Sequence, residues 1–273
     1  MQEELLRMEQ VFYRYPGEKT DALRNCSLTI RQKEKIAVLG GNGAGKSTLF
    51  LLANGVIRPG KGTLSFCGKV VKTERDLYAL RQGVGLVFQD PDVQILAGTV
   101  WEEVAFGPAN LGFAPEKIQS AVKEALTALN LQNYAGRAPQ YLSGGEKKRV
   151  TIADVLAMHP RLMLLDEPAS SLDPQGRQEL ENRLDLLHHA GMALLVATHD
   201  LDFAWRWADR ILVFREGQLA ADGAPEEIFS DDALLKACGL EKPLLYQVGE
   251  ILGMEPPRSI GELRERKRSG HIP

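Results

Sequence analysis

The fold of this chain is decided by Gly40-Gly-Asn-Gly-Ala-Gly45-Lys46-Ser47, a glycine-rich stretch that matches G-x-x-x-x-G-K-[ST] at every fixed position. The apolar run Lys35-Ile-Ala-Val-Leu39 precedes it and predicts a buried strand. Ser47-Thr-Leu-Phe-Leu-Leu-Ala53 follows it and predicts the first turns of a helix. A strand, a glycine-rich turn and a helix in this order are the local structure of a phosphate-binding loop.

The glycines of this loop allow the backbone to curl so that successive N–H groups point inward at phosphate oxygens. The N-terminus of the following helix adds partial positive charge. Lys46 is expected to reach the β- and γ-phosphates of a nucleotide, and Ser47 to ligate Mg²⁺. A chance lysine in a glycine-rich turn is the alternative, which the flanking strand and helix disfavour. The predicted nucleotide contacts in this loop are Gly40, Asn42, Gly43, Ala44, Gly45, Lys46, Ser47 and Thr48.

Two carboxylates follow a second apolar run, Arg161-Leu-Met-Leu-Leu-Asp166. Hydrolysis of a bound nucleotide needs a carboxylate that holds the metal and a group that orients the attacking water. Asp166 is placed to hold Mg²⁺ through water, and Glu167 is placed to polarise the nucleophilic water. Surface charge is the alternative, but a strand as apolar as this one argues against it.

The remaining strands are predicted from further apolar runs. Met192–His199 is almost continuously apolar, as expected for a strand buried on both faces of a parallel sheet. Ile211–Phe214 and Leu219–Ala221 predict a β-hairpin with Gly217 in its turn.

The helices are predicted from apolar residues at helical spacing. Two stripes have this spacing and are expected to face the core: Ile118, Val122, Leu126 and Leu129 in one, and Leu180, Leu184 and Leu187 in the other. Pro115 opens the first stripe, as is common at a helix start. Residues 92–155 interrupt the alternation of strands and helices with mostly helical sequence, which indicates an inserted helical lobe. The prolines after position 236 indicate a small C-terminal extension.

Composition excludes several functional classes. The net charge of −3 gives no reason to expect binding to nucleic acid. No apolar run approaches the roughly 20 residues that span a bilayer, so we expect any membrane role to depend on a partner. The three cysteines have no C-x-x-C spacing and are expected to be reduced thiols.

Leu142-Ser143-Gly144-Gly145-Glu146, followed by Lys-Lys-Arg149, resembles the signature motif of the ABC ATPase superfamily. A serine hydroxyl, two glycine N–H groups and a helix N-terminus behind them favour an anion. The resemblance implies that Ser143, Gly144, Gly145 and Glu146 face the γ-phosphate of ATP bound by a second subunit.

Other positions resemble the family's motifs in the same order along the chain. Tyr15 resembles the aromatic residue that stacks on adenine, with Tyr13 as the competing candidate. Gln89 resembles the glutamine that touches Mg²⁺ and water, and His199 the switch histidine that contacts the γ-phosphate. Ser170-Ser-Leu-Asp173 resembles the loop that crosses the dimer interface, although the family often has Ala-Gly where two serines stand here. The resemblance therefore implies Glu167, His199 and Gln89 as catalytic residues, with Ser47, Gln89 and Asp166 around Mg²⁺.

The fold that this resemblance implies is an α/β P-loop NTPase with a RecA-like core and mixed sheet, an antiparallel β subdomain and an inserted α-helical subdomain. We expect an ATPase domain over residues 1–235, with its core at about 1–91 and 156–235 and the helical subdomain at about 92–155. Residues 236–273 are expected to form the extension.

A narrower resemblance covers Phe88–Ile95, Thr99–Pro108 and Asn110–Gly112, which are similar to the ATPases of energy-coupling factor transporters. Cys238–Leu245 is similar to the cobalt and nickel importers among them. The resemblance implies an ATPase that powers uptake of a small substrate, cobalt or nickel ion before vitamins. An ATPase of another ABC importer, or a soluble ABC ATPase of DNA repair or translation, is the alternative.

The expected partners follow from the same resemblance. They are a second copy of the chain or a paralogous ATPase, a membrane scaffold T-component and a substrate-binding S-component, with no nucleic acid. The expected location is peripheral, at the cytoplasmic face of the cell membrane.

Overall fold

Two β-sheets form the framework of the protein in the computed structural model, which describes residues 3–170 and 172–269. The strands are β1 (Glu4–Tyr13), β2 (Leu23–Arg31), β3 (Lys35–Leu39), β4 (Lys61–Phe66), β5 (Lys69–Val70), β6 (Val84–Val87), β7 (Leu162–Asp166), β8 (Ala193–Ala197), β9 (Arg210–Arg215) and β10 (Gln218–Gly223). One sheet has the order β2-β1-β4-β5 and is antiparallel. The other has the order β10-β9-β3-β8-β7-β6 and is mixed, with only the β9–β10 pair antiparallel.

Helices cover the mixed sheet and build the lobe beside it. They are α1 (Lys46–Asn54), α2 (Glu74–Gly83), α3 (Pro91–Gln94), α4 (Val100–Asn110), α5 (Pro115–Ala128), α6 (Gly144–Leu156), α7 (Pro174–His189), α8 (Leu201–Trp207), α9 (Pro225–Ser230), α10 (Asp232–Cys238), α11 (Leu244–Ile251) and α12 (Ile260–Arg268). Among the described residues, no helix is both long and apolar enough to cross a bilayer.

The central strands are apolar along their whole length because both of their faces are covered. Every residue of β8 is buried, and so are four of the five residues of β3. Ala37 of β3 pairs in register with Val196 of β8 on one side and with Ile211 of β9 on the other. Since β3, β7 and β8 are parallel, their carboxyl ends meet at one edge of the sheet, where ligands bind in folds of this class.

Strands and helices that we predict from periodicity are confirmed. The stripe residues Val122, Leu126 and Leu129 are buried in the helical lobe. Leu180, Leu184 and Leu187 of α7 are likewise buried. The predicted hairpin is formed by β9 and β10.

The C-terminal extension packs on α8. The indole N–H of Trp205 donates to the carbonyl of Pro257 at 2.9 Å, and its ring lies 5.1 Å from that of Tyr246. Helix α10 runs across the boundary that we predict between residues 235 and 236, because it begins at Asp232 and ends at Cys238. Ser171 of the predicted interface loop and residues 270–273 of the predicted extension lie outside the described residues.

Candidate nucleotide-binding site

The phosphate-binding loop connects β3 to α1 at the carboxyl edge of the mixed sheet. Gly40 has φ 148°, and a Cβ there would lie 2.3 Å from the carbonyl oxygen of Phe214. Gly45, the N-cap of α1, has φ 105°, and a Cβ there would lie 2.9 Å from the carbonyl oxygen of Ala22. No side chain caps this helix, so its first N–H groups are free to bind an anion.

The ammonium of Lys46 lies inside this loop. Its Nζ donates to the carbonyl oxygens of Gly40 at 2.7 Å and Gly41 at 3.3 Å, and it lies 3.5 Å from His199 Nε2. Burial lowers the pKa of Lys46, while the carboxylates of Glu167 and Asp166 act in the opposite direction. A buried cation held by carbonyls beside free helix N–H groups fits the phosphates of a nucleotide.

Two oxygen ligands for a metal lie beside Lys46. Ser47 Oγ donates to Asp166 Oδ2 at 2.7 Å. A hydroxyl and a carboxylate are hard oxygen donors, and Mg²⁺ typically binds one or two carboxylates together with substrate phosphates. The pair of Ser47 and Asp166 therefore fits Mg²⁺ bound to a nucleotide in this loop.

A partly buried carboxylate, that of Glu167, follows the last residue of β7. The N–H of Glu167 donates to the carbonyl of Ala197 at 3.0 Å, which fixes the residue between β7 and β8. Its backbone is left-handed, with φ 44°. Glu167 Oε1 is buried and accepts no hydrogen bond, although it lies 3.2 Å from His199 Nε2. Burial raises the pKa of Glu167, while Lys46 acts to lower it. A carboxylate whose pKa is raised, at the edge of the phosphate-binding cleft, suits a general base that takes a proton from water.

His199 follows β8 and faces the same space. Its side chain is 50% exposed. Burial lowers the pKa of His199, the Lys46 charge lowers it further, and Asp166 opposes both. A neutral imidazole at this point can donate or accept a hydrogen bond.

The aromatic candidates differ in position. Tyr15 lines the cleft, and its OH lies 3.2 Å from Thr48 Oγ1. Tyr13 packs against it edge to face, with ring centroids 4.9 Å apart. Tyr15 is therefore the better placed of the two for a base.

The structure brings most of the predicted site residues into one open cleft of about 290 Å³. They are Tyr15, Asn42, Gly43, Ala44, Gly45, Lys46, Ser47, Thr48, Gln89, Asp166, Glu167 and His199. The cleft also contains Ala22 and Gly41, which we did not predict. Gly41 stands inside the loop motif and could have been included. Ala22 comes from the connection between β1 and β2 and has no sequence signal of its own.

The signature segment lies outside this cleft. Ser143 caps α6, with its Oγ accepting from the Glu146 N–H at 3.3 Å and its N–H donating to Glu146 Oε2 at 2.7 Å. The backbone N–H of Ser143 is the main reason for the lowered pKa of Glu146. Gly144 is exposed, and a Cβ there would meet nothing within 4 Å. This segment is an exposed helix N-terminus that a single chain does not bring to the cleft.

A family model described as "ABC transporter" matches residues 23–170, which is more than half of the chain. The chain belongs to the ABC transporter family. The predicted P-loop NTPase fold with its mixed sheet, antiparallel sheet and helical lobe is confirmed.

Individual relatives show which kind of ABC transporter ATPase the chain is similar to. The energy-coupling factor transporter ATP-binding protein EcfA2 of Methanospirillum hungatei is 48% identical over 262 residues, which are 94% of this chain. The chain spans 66% of that protein's length. The structure of CbiO1 from Clostridium perfringens, described as part of the ABC transporter complex CbiONQ, is 34% identical with a TM-score of 0.77. That match covers 92% of this chain and 100% of CbiO1. The resemblance to energy-coupling factor ATPases is confirmed.

A further ABC cassette has been solved with reaction products. It is the dimeric post-hydrolysis structure of MJ0796 bound to ADP and Pi, which is 26% identical with a TM-score of 0.73. The match covers 81% of this chain and 99% of MJ0796.

Proposed function

We propose that this chain is the ATP-hydrolysing subunit of an energy-coupling factor transporter and works as a head-to-tail dimer at the cytoplasmic face of a membrane. The observation that carries the proposal is the division of its anion-binding groups between two surfaces. Lys46, Ser47 and Glu167 meet in one cleft, whereas Ser143 and Gly144 are exposed elsewhere. Two chains in opposite orientation bring both surfaces to one nucleotide.

ATP binds in the cleft through the phosphate-binding loop between β3 and α1. The free N–H groups of α1 and the ammonium of Lys46 bind the terminal phosphates, and Tyr15 stacks on the base. Ser47 and Asp166 would hold Mg²⁺, with Gln89 beside them, and a bound ion would supply positive charge against the phosphates.

Glu167 is the general base for hydrolysis in this proposal. Its carboxylate accepts a proton from a water, the water oxygen bonds to the γ-phosphorus, and the bond from that phosphorus to the β,γ-bridging oxygen breaks. The products are ADP and inorganic phosphate. His199 hydrogen-bonds the γ-phosphate and orients it toward the water.

The dimer closes because the signature segment of one chain meets the nucleotide bound by the other. Ser143, Gly144, Gly145 and Glu146 form the N-terminus of α6, whose partial positive charge favours the γ-phosphate bound by the partner. Loss of that phosphate removes the bridge, so the dimer reopens. The dimeric product-bound MJ0796 structure and the CbiONQ assembly of CbiO1 support a dimer that drives membrane subunits.

The cargo that we propose is a cobalt or nickel ion, recognised by other subunits. The similarity of Cys238–Leu245 to cobalt and nickel importers supports this choice over a vitamin. Co-expression of the chain with a membrane scaffold T-component and a substrate-binding S-component tests the choice by metal uptake. Accumulation of cobalt or nickel that disappears with Glu167→Gln is expected, and accumulation of a vitamin alone would refute it.

A complementation experiment tests the composite site. Lys46→Ala damages the cleft and Ser143→Ala damages the signature surface, so each variant alone is expected to be inactive. In a mixed dimer, one site combines the intact Lys46 of one chain with the intact Ser143 of the other. In an equal mixture, half of the dimers contain one chain of each variant. Each of these dimers has one intact site out of two, so about a quarter of the parent ATPase rate is expected to return.

The matched control mixes Lys46→Ala with Glu167→Gln. Both changes affect the same cleft, so no mixed dimer has an intact site and no activity is expected. Recovery in the control, or its absence in the first mixture, would contradict a site shared between two chains.

A further inference from the structure

Both backbone polar groups of Phe88, the residue before Gln89, are hydrogen-bonded to side chains from the helical lobe. The N–H of Phe88 donates to Gln94 Oε1 at 3.1 Å. Lys148 Nζ donates to the carbonyl oxygen of Phe88 at 3.0 Å and to that of Gln89 at 2.6 Å. The backbone that carries Gln89 into the cleft is therefore fixed from outside the cleft.

The residue that binds these two carbonyl oxygens, Lys148, is a buried lysine, and lysine is seldom buried. Only 3% of the residue is exposed. Burial lowers its pKa to about 8, with Asp166 and Asp90 acting in the opposite direction. A buried ammonium is costly unless hydrogen bonds compensate it, so its two carbonyl partners account for its tolerance here.

Gln94, which accepts the hydrogen bond from the Phe88 N–H, is itself bound to α6, the helix that carries Lys148. Gln94 Nε2 donates to the carbonyl oxygen of Thr151 at 3.2 Å and to Asp154 Oδ2 at 3.2 Å. Lys148, Thr151 and Asp154 are spaced by three residues on α6 and lie along one face of it. The connection from β6 to α4 is thus attached to α6 over two turns.

Helix α6 begins at the signature segment. Its N-cap is Ser143, and Lys148 lies just over one turn further on. One helix therefore connects Ser143 to the backbone of Phe88 and Gln89.

We propose that Lys148 is a positioning residue for ATP hydrolysis. It connects the backbone of Gln89 to α6, so the position of Gln89 in the cleft depends on the position of α6. This role rests on the proposed ATPase function. It makes the cleft of one chain sensitive to whether its own signature segment is engaged by the nucleotide of the other chain.

A purely structural lysine is the competing explanation, and kinetics separate the two. Lys148→Met keeps the length of the side chain and removes its donors. Since Lys148 is proposed to act on orientation, kcat is expected to fall by about 10- to 100-fold while the Kd for ATP stays within about twofold. Lys123→Met, at an exposed position of α5 in the same lobe, is the matched control and is expected to keep the parent rate.

A double-mutant cycle gives the decisive readout. If Lys148 acts through Gln89, then Lys148→Met adds no further loss in a Gln89→Ala background. Gln94→Leu removes the other half of the arrangement and is expected to behave in the same way, and it decides the matter if Lys148→Met does not fold.

Each outcome is informative. Additive losses in the cycle, or a change confined to ATP affinity, would overturn the positioning role while leaving the ATPase assignment intact. Failure of the parent protein to hydrolyse ATP would refute the proposed function, and this role with it.

Discussion

Ser47 Oγ donates a hydrogen bond to Asp166 Oδ2 at 2.7 Å, although the two residues are 119 positions apart in sequence. Ser47 lies in the first turn of α1, after β3, and Asp166 ends β7. Strand β8 lies between these strands, and all three are parallel, so their carboxyl ends reach the same edge of the sheet. Two oxygen atoms are thereby placed at hydrogen-bond distance beside the phosphate-binding loop.

Asp166→Asn is expected to weaken ATP binding only when Mg²⁺ is present. The amide keeps the size of the side chain and an acceptor for Ser47, but it loses the charge that holds the metal. The Kd for ATP measured by calorimetry should rise by about 10-fold or more in Mg²⁺ and change little in EDTA. An equal loss under both conditions would show that Asp166 contacts the nucleotide and not the metal.

Glu167→Gln is expected to abolish turnover while leaving ATP binding intact. The amide cannot accept a proton, so kcat should fall by at least about 100-fold. ATP then remains bound, and light scattering should detect a stable dimer. Hydrolysis at the parent rate would reject Glu167 as the catalytic carboxylate.

The pH dependence of the parent enzyme provides a second check on Glu167. Burial raises its pKa, and a general base works only when deprotonated. The ATPase rate should therefore fall as the pH is lowered through that raised pKa, at a higher pH than for an ordinary glutamate. A rate independent of pH on the acid side would contradict this role.

The cleft could be predicted from the sequence because its residues follow two local signals. Lys46 stands in a motif whose spacing itself encodes the turn, and Asp166 ends a strand whose burial is visible in its apolar composition. Both signals depend on neighbours within a few positions.

The arrangement around Lys148 could not be predicted, because it depends on tertiary contacts. In the sequence, Lys147, Lys148 and Arg149 form a basic run beside the signature segment. Only the packing of α6 against the connection after β6 buries Lys148 and leaves Lys147 paired with Asp92 at 2.6 Å. Ala22 is a similar case, since it reaches the cleft only through the position of the antiparallel sheet.

Ser143→Ala is expected to reduce both stability and activity, whereas Thr73→Ala should reduce stability alone. Each residue is the N-cap of a helix with a complete capping box, in α6 and α2 respectively. Loss of such a cap costs about 1 kcal/mol. Only Ser143 is proposed to meet the γ-phosphate of the partner's ATP.

Thermal unfolding and the ATPase rate, measured on both variants, separate the two effects of Ser143→Ala. Similar falls in melting temperature with a rate lost only in Ser143→Ala are expected. Equal rates in the two variants would mean that Ser143 acts only as a cap.

Asp154→Asn is expected to stabilise the protein above neutral pH. The pKa of Asp154 is raised to about 7, mainly by burial and with a smaller contribution from Glu103, against the opposing effect of the hydrogen bond from Gln94. The pKa in the unfolded chain is about 3.9, so the folded state binds this proton more tightly. The contribution of Asp154 to the unfolding free energy is therefore present in acid and is lost as the pH rises from about 4 to about 7.

Asparagine is neutral at every pH and keeps an acceptor for Gln94, so Asp154→Asn avoids this loss. Its melting temperature should exceed that of the parent at pH 8, and the difference should shrink as the pH is lowered toward 5. Asp154→Leu, which is also neutral but leaves Gln94 Nε2 only the carbonyl of Thr151, should be less stable than Asp154→Asn throughout. A difference between Asp154→Asn and the parent that is the same at pH 5 and pH 8 would show that Asp154 does not change its protonation in this range.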